Sequence, residues 1–262
     1  MHKRTKRLVG FLLGERLANI AKKMKNGLAE RNGNRSYAQE GEDRVLSSLF
    51  FKLHGGKHIS DGFYVDVGAH HPYRFSNTCL FYKQGWTGIN IDAAPGSMDV
   101  FKRERPRDIN LECGIGLKAG TLKFYVFNEP ALNTFDENLA RARSNDVWHI
   151  NSVVGVPIVP LSEILSKHLP DGKEIDLLTV DVEGFDLHVL QSNDWERYRP
   201  SVVLVETFGL SFEDLSSDPV AMYLRALGYV VYSKTVNSTF FVNKTVAAEI
   251  DAAYQKVRKS LQ

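Results

Sequence analysis

The chain has 262 residues, 43% of them hydrophobic and 24% charged, enough to bury a substantial core in one large domain or at most two. Its net charge of +2 conceals an asymmetry: residues 1–35 carry ten Lys or Arg against Glu15 and Glu30, so this segment is +8 and the remainder −6. An acidic body with no basic stripe interleaved with aromatics argues against nucleic acid as a partner. Cys79 and Cys113, far apart and without metal or redox spacing, argue against a disulfide framework and fit a reducing cytoplasm.

In chain order, the first feature is the basic segment around "LVGFLLG", Leu8–Gly14, an apolar run well below the roughly 20 residues that span a bilayer. It reads as an amphipathic arm over residues 1–35, with a solvated charged face or peripheral contact with anionic lipid at the inner face of the membrane. "NGNRS", Asn32–Ser36, is a turn-rich linker to a domain spanning 36–262. Val45, Leu46, Leu49, Phe50 and Leu53 then recur at helical spacing.

Five apolar runs follow, at 62–68, 85–92, 109–116, 175–182 and 201–207, with helical patterns between most of them. Unbroken runs indicate strands buried on both faces, and the first, second, fourth and fifth predict a parallel, doubly wound α/β sheet. Between the third and fourth lies an insertion: a strand at 120–127, then loop, helix and strand, placed to overhang the site as a lid, with Asn133, Thr134, Trp148 and His149 as its polar and aromatic candidates. The runs 228–235 and 238–245 are separated by Val236 and Asn237 alone, too short for a parallel crossover, so they form an antiparallel hairpin. A parallel sheet closed by such a hairpin is the plan of class I S-adenosylmethionine (SAM) methyltransferases.

In doubly wound sheets ligands sit beyond the carboxyl ends of the strands. Asp66 and Gly68, in "YVDVGAHHPYRFSNT", fall at that edge: Gly68 lets backbone approach a ligand, and Asp66 is an acceptor for the cationic methionine end of SAM or a cap for the next helix. Asp92 ends the next strand, where a carboxylate accepts both hydroxyls of an adenosine ribose or starts a turn before Pro95. A dehydrogenase needs three glycines where "VDVGAHHP" has one, and an epimerase-type Tyr followed four residues later by Lys is absent from all ten tyrosines.

These motifs, with "GWTGINIDAAPGSMDVFKRERPRDINLECGIG" and "IDLLTVDVEGFDLHVLQ", resemble the FkbM family of SAM-dependent methyltransferases from about Ser36 to Val242. The resemblance implies a Rossmann-like class I fold with a mostly parallel seven-stranded sheet ending in an antiparallel hairpin. It implies O-methylation of a sugar or polyketide hydroxyl, in surface polysaccharide or glycolipid biosynthesis, with a sugar or glycan as partner. The expected cofactor-binding set is Asp66, Gly68, Ala69, Asp92, Glu112, Cys113 and Asp181.

"VDVEGFD" places Asp181, Glu183 and Asp186 within six residues, a density of carboxylates that needs a positive partner: a cation, the SAM sulfonium and amine, or neighbouring Arg or Lys. No metal is expected; a divalent ion, if used, would take oxygens from Asp181, Glu183 and Glu206. Methyl transfer to an alcohol needs a proton acceptor, and His70 or His71 is positioned for it, His70 preferred as nearer the Asp66–Gly68 backbone, with Glu183 as rival. One histidine is expected to face the cleft and the other to support the loop. Arg74, Ser76 and Asn77 suit sugar contacts, or in the case of Ser76 helix capping. The alternatives are a catalytically weak SAM-fold scaffold and a nucleotide-sugar dehydrogenase or epimerase.

Overall fold

The computed structural model describes residues 35–207 and 211–260. The expected basic arm, apart from Arg35, lies outside the described residues, and the compact body starts at Tyr37. Among the described residues no helix is long and apolar enough to cross a membrane.

Helix α1 (Glu42–Leu53) leads into β1 (Phe63–Val67), α2 (Cys79–Lys83), β2 (Thr87–Asp92), α3 (Ser97–Glu104) and β3 (Ile109–Glu112). A small subassembly follows: β4 (Gly114–Ile115), β5 (Gly120–Phe127), a 3-10 turn at Pro130–Leu132, α4 (Glu137–Arg143) and β6 (Ile150–Val159). The chain then returns through α5 (Leu161–His168), β7 (Leu177–Val180), α6 (Asp186–Gln191), β8 (Val202–Glu206) and α7 (Pro219–Ala226) to β9 (Tyr229–Lys234), β10 (Ser238–Asn243) and α8 (Lys244–Ser260).

The main sheet has seven strands in the order β3-β2-β1-β7-β8-β10-β9. The first five are parallel, and β10 runs antiparallel between β8 and β9. This is the class I methyltransferase arrangement. Strand order reverses between β1 and β7, which opens a crevice at their carboxyl ends.

Both faces of the sheet are covered, as the unbroken apolar runs require. Phe63, Val65 and Val67 of β1 pack with Leu161 and Leu165 of α5 and Val189 of α6 on one side. Tyr64 points to the other face, against Leu46, Leu49 and Phe50 of α1 and Phe81 of α2. The period of two that sends Tyr64 to that face sends Asp66 there as well, into a polar pocket rather than a greasy one.

The third apolar run departs from expectation. It splits at Cys113: Ile109–Glu112 joins the main sheet parallel to β2, and Gly114–Ile115 turns away to pair with β6. β5 pairs antiparallel with β6, so the insertion is a second, three-stranded sheet of its own.

Candidate active site

The crevice is a cavity of about 480 Å³. Its donor side is formed by Gly68, Ala69, Ile91 and Asp92 at the ends of β1 and β2, with Cys113 and Ile115 beside them. The insertion roofs it with Phe124 and Val126 of β5 and with Asn133 and Phe135 from the segment before α4. His70, His71, Arg74, Phe75 and Asn77 close it from the loop after β1, and Asp181 and Glu183 from the turn after β7.

Gly68 is required by the backbone itself. Its φ is +83°, and a Cβ there would fall 1.7 Å from the carbonyl oxygen of Asp181. Among the described residues three non-glycines also adopt left-handed conformations, His70 at 53°, Phe75 at 55° and Glu183 at 53°, and all three line the cavity. Such backbone costs about 1 kcal/mol or more per residue and persists where surrounding structure holds it. At His70 the hold is visible: its N–H donates to Asp92 Oδ2 at 2.9 Å.

Asp92 also accepts the Ala94 N–H on Oδ1 at 2.8 Å, so the anticipated turn is present. Each carboxylate oxygen keeps a second acceptor position for a ribose hydroxyl. Burial raises the Asp92 carboxyl above its ordinary range, while the two backbone N–H groups pull it back. Burial likewise pushes Asp66 up to about 6, against the opposing pull of the Thr78 hydroxyl, which donates to Asp66 Oδ2 at 2.7 Å, and of Arg105. Apolar Ile91 and Ile115 line the cavity together with the carboxylates Asp66 and Asp92, a mix that fits adenine, a ribose diol and a cationic amino acid end. The residues present therefore suit SAM.

Glu112 stands apart from this set. It does not line the cavity, and its carboxylate accepts the Gly96 N–H at 2.9 Å, which braces the turn into α3. Ser76 takes its capping role, accepting the Cys79 N–H at the start of α2. Arg74 is paired with Glu129 at 3.0 Å and lies over the Phe75 ring. Thr134 is fully buried, bonded to the Glu183 carbonyl, and Trp148 and His149 lie away from the cavity wall.

The two histidines differ. His71 Nδ1 accepts the N–H groups of Tyr73 and Arg74, both at 3.1 Å, and so supports the loop. His70 Nε2 is buried without a hydrogen-bond partner, its ring stacked on Phe75. Burial lowers the His70 imidazole below its ordinary value, with Asp92 opposing and Arg74 assisting, which keeps it neutral and able to accept a proton.

The carboxylate cluster is real. Asp181, Glu183 and Glu206 each bring an oxygen within 4.8 Å of the others, and Glu206 reaches in from the end of β8 without lining the cavity. Burial and mutual repulsion raise Asp181 and push Glu206 up to about 8; Asp186, whose oxygens accept the N–H groups of Val182 and Gly184, rises to about 7. The positive partner that this density demands is Arg143 at the end of α4, 2.5 Å from Glu183 Oε2. Sequence reading missed Arg143. Glu183 is raised by burial and held back by this guanidinium.

A Methyltransferase FkbM domain model matches residues 66–231. The curated relative "Methyltransferase sdnD" of Sordaria araneosa is 32% identical over 180 residues, 57% of this chain and 67% of that protein. Among solved structures, a TehB-like SAM-dependent methyltransferase from Corynebacterium glutamicum matches at 14% identity and TM-score 0.39, covering 87% of this chain and 97% of that one. An rRNA methylase from Escherichia coli matches at 14% identity and TM-score 0.30, covering 77% and 64%. Membership of a methyltransferase family removes the dehydrogenase and epimerase readings and implies SAM as the methyl donor. With the family model covering well over half of its length, the chain belongs to the FkbM methyltransferases.

Proposed function

We propose that this chain transfers the methyl group of SAM to a hydroxyl of a sugar or glycan in surface polysaccharide or glycolipid biosynthesis, with His70 as proton acceptor. SAM, when bound, supplies an electrophilic methyl on a sulfonium. The chain's own residues do the rest: Asp92 holds the ribose, and Asp66 and Asp181 offer negative charge to the cationic end. His70 Nε2 takes the hydroxyl proton as the oxygen attacks. The observation that carries this reading is that imidazole, buried and unpartnered on the cavity wall in a left-handed turn fixed by Asp92. No hydrogen bond competes for Nε2 there.

The test is mass spectrometry of surface glycan from cells with and without the protein, paired with transfer of labelled methyl from SAM to glycan from the deficient cells. Loss of one methyl, restored in vitro, supports the assignment. A folded chain that binds SAM and methylates no glycan favours the scaffold reading.

A second reading rests on the carboxylate triad: a divalent cation on Asp181, Glu183 and Glu206 would activate the hydroxyl directly. Activity lost to chelator and restored by Mg²⁺ would move the proton-transfer role away from His70. We further propose that the +8 segment of residues 1–35 holds the enzyme against anionic lipid at the inner face of the membrane. Deleting residues 1–30 then lowers vesicle binding at low salt and spares SAM binding; equal vesicle binding refutes it.

A further inference from the structure

Arg105, in the run "KRERPRD" after α3, is 0% exposed although Arg103 and Arg107 beside it are exposed. A guanidinium taken wholly out of water is costly unless its donors are used to purpose, and here both Nη atoms are engaged while Nε has no partner. Its acceptors are neutral oxygens. Nη1 donates to Thr78 Oγ1 at 2.7 Å and Asn90 Oδ1 at 3.3 Å, and Nη2 to the Pro72 carbonyl at 2.5 Å and Ser76 Oγ at 2.7 Å. Three of these four belong to the loop that carries His70 and closes the cavity. The rings of Phe101 and Tyr82 lie 5.3 and 5.6 Å from the guanidinium carbon.

The Thr78 contact has a direction. Because Thr78 Oγ1 accepts from Arg105, its own hydrogen is left to donate, and it donates to Asp66 Oδ2 at 2.7 Å. Arginine N–H, threonine O–H and carboxylate thus form a polarised chain in a dry interior, where such chains strengthen one another. Asn90 extends it on the other side, donating to Asp108, which also accepts the Tyr64 hydroxyl and the Gly88 N–H.

Resting on the reading of this cavity as a SAM site, we propose that Arg105 is its positioning residue. Through Thr78 it orients and keeps ionised the Asp66 carboxylate that meets the cationic end of SAM; through Pro72 and Ser76 it fixes the loop bearing His70. Arg105 touches neither donor nor acceptor. It acts through two intermediaries.

The test is SAM binding by calorimetry from pH 5.5 to 8.5 on the full chain and on Arg105→Met, Arg105→Lys and Thr78→Val, each with a melting curve. Asp66 is faced by Thr78 from the loop, Arg105 from after α3, Asp92 from β2, Asp108 from before β3 and Asp181 from the turn after β7. Of these, Arg105 and Thr78 hold it ionised while the three aspartates oppose. Removing the guanidinium therefore moves the acid limit of SAM binding to higher pH, and affinity at pH 7 falls about tenfold or more, the scale of one charge-assisted hydrogen bond. Arg105→Lys, which keeps the charge, restores the limit. A role confined to packing would lower the melting temperature and leave the pH limit in place.

Should Arg105→Met fail to fold, Thr78→Val carries the test alone, since it breaks the relay and leaves Arg105 in place. Wild-type affinity and wild-type pH limit in folded Arg105→Met or Thr78→Val overturn the relay. No SAM binding by the unaltered chain at any pH overturns the donor-site reading, and the relay with it.

Discussion

Replacing His70 and His71 by alanine, one at a time, tests the mechanism most directly, because the loop gives the two rings different tasks. At His70 the ring is lost but the backbone N–H still reaches Asp92, and no hydrogen bond to Nε2 exists to be broken. Stability and SAM affinity stay near wild type, while turnover falls by about 10²–10⁴-fold, the worth of general-base assistance. At His71 the loss is an acceptor for two backbone N–H groups, those of Tyr73 and Arg74. That resembles losing a helix cap, about 0.5–2 kcal/mol, or roughly 2–4 °C in melting temperature per kcal/mol for a chain of this size. Its turnover changes little. Single-turnover transfer of labelled methyl, with calorimetry and melting curves on each variant, separates the two. The pH profile adds a check: with the His70 imidazole lowered by burial, the acid limb of kcat falls below the ordinary 6.5 of histidine and neutral pH lies on the plateau. Normal turnover by His70→Ala, or a dead Glu183→Gln beside an active His70→Ala, would refute the assignment and give the proton to the carboxylate.

Asp92→Ala removes the ribose acceptor and both backbone bonds it accepts; at about 1.5–3 kcal/mol per charged hydrogen bond, SAM affinity should drop tens-fold or more. Unchanged affinity in a folded variant would count against the donor site. Gly68→Ala forces a Cβ into the Asp181 carbonyl at positive φ, and overpacking on the order of 1–3 kcal/mol with the left-handed cost lowers the melting temperature by about 5–15 °C. A melt equal to wild type would show that the turn yields. Glu206→Gln raises stability in a pH-dependent way. With the Glu206 carboxyl pushed up to about 8, the folded chain holds a proton that the unfolded chain has released above the ordinary carboxylate range, so wild-type stability falls as pH rises towards 8. The variant escapes this fall, and its advantage in melting temperature widens from pH 5 to 8; parallel curves would sink the argument.

Much of the fold was legible because the signals were local. β1, β2, β7 and β8 are apolar runs long enough to cross a sheet, and the three residues between β9 and β10 leave a hairpin as the sole connection. β5 matched its expected bounds, Gly120–Phe127. The break between β3 and β4 was not legible, since "LECGIG" has no change of period at Cys113 to announce a change of sheet. The site divides the same way. Asp92 follows from its strand end, but spacing favours His70 over His71 only by nearness to Gly68, because their difference in contacts lies in which ring nitrogen meets Tyr73 and Arg74. Arg143 and Arg105 were invisible for a common reason: each sits among surface-like charges, and its partners come from distant parts of the chain, Glu183 for the one and Thr78 and Asn90 for the other.

The pairing of Ile115 with Val159 means that the excursion between them leaves and rejoins the main body at hydrogen-bonded neighbours. Everything that roofs the cavity, Phe124, Val126, Asn133 and Phe135, and the Arg143 that answers Glu183, lies inside that excursion; Asp66, His70 and Asp92 lie outside it. An excursion with adjoining ends behaves as an exchangeable cassette, since the entropy of closing it rises by only about 0.6 kcal/mol for each doubling of length. Chimeras that trade residues 117–157 between relatives should therefore keep their hold on SAM and acquire new acceptors. The strand-end residues and the residues that roof the cavity thus occupy separable stretches of the chain.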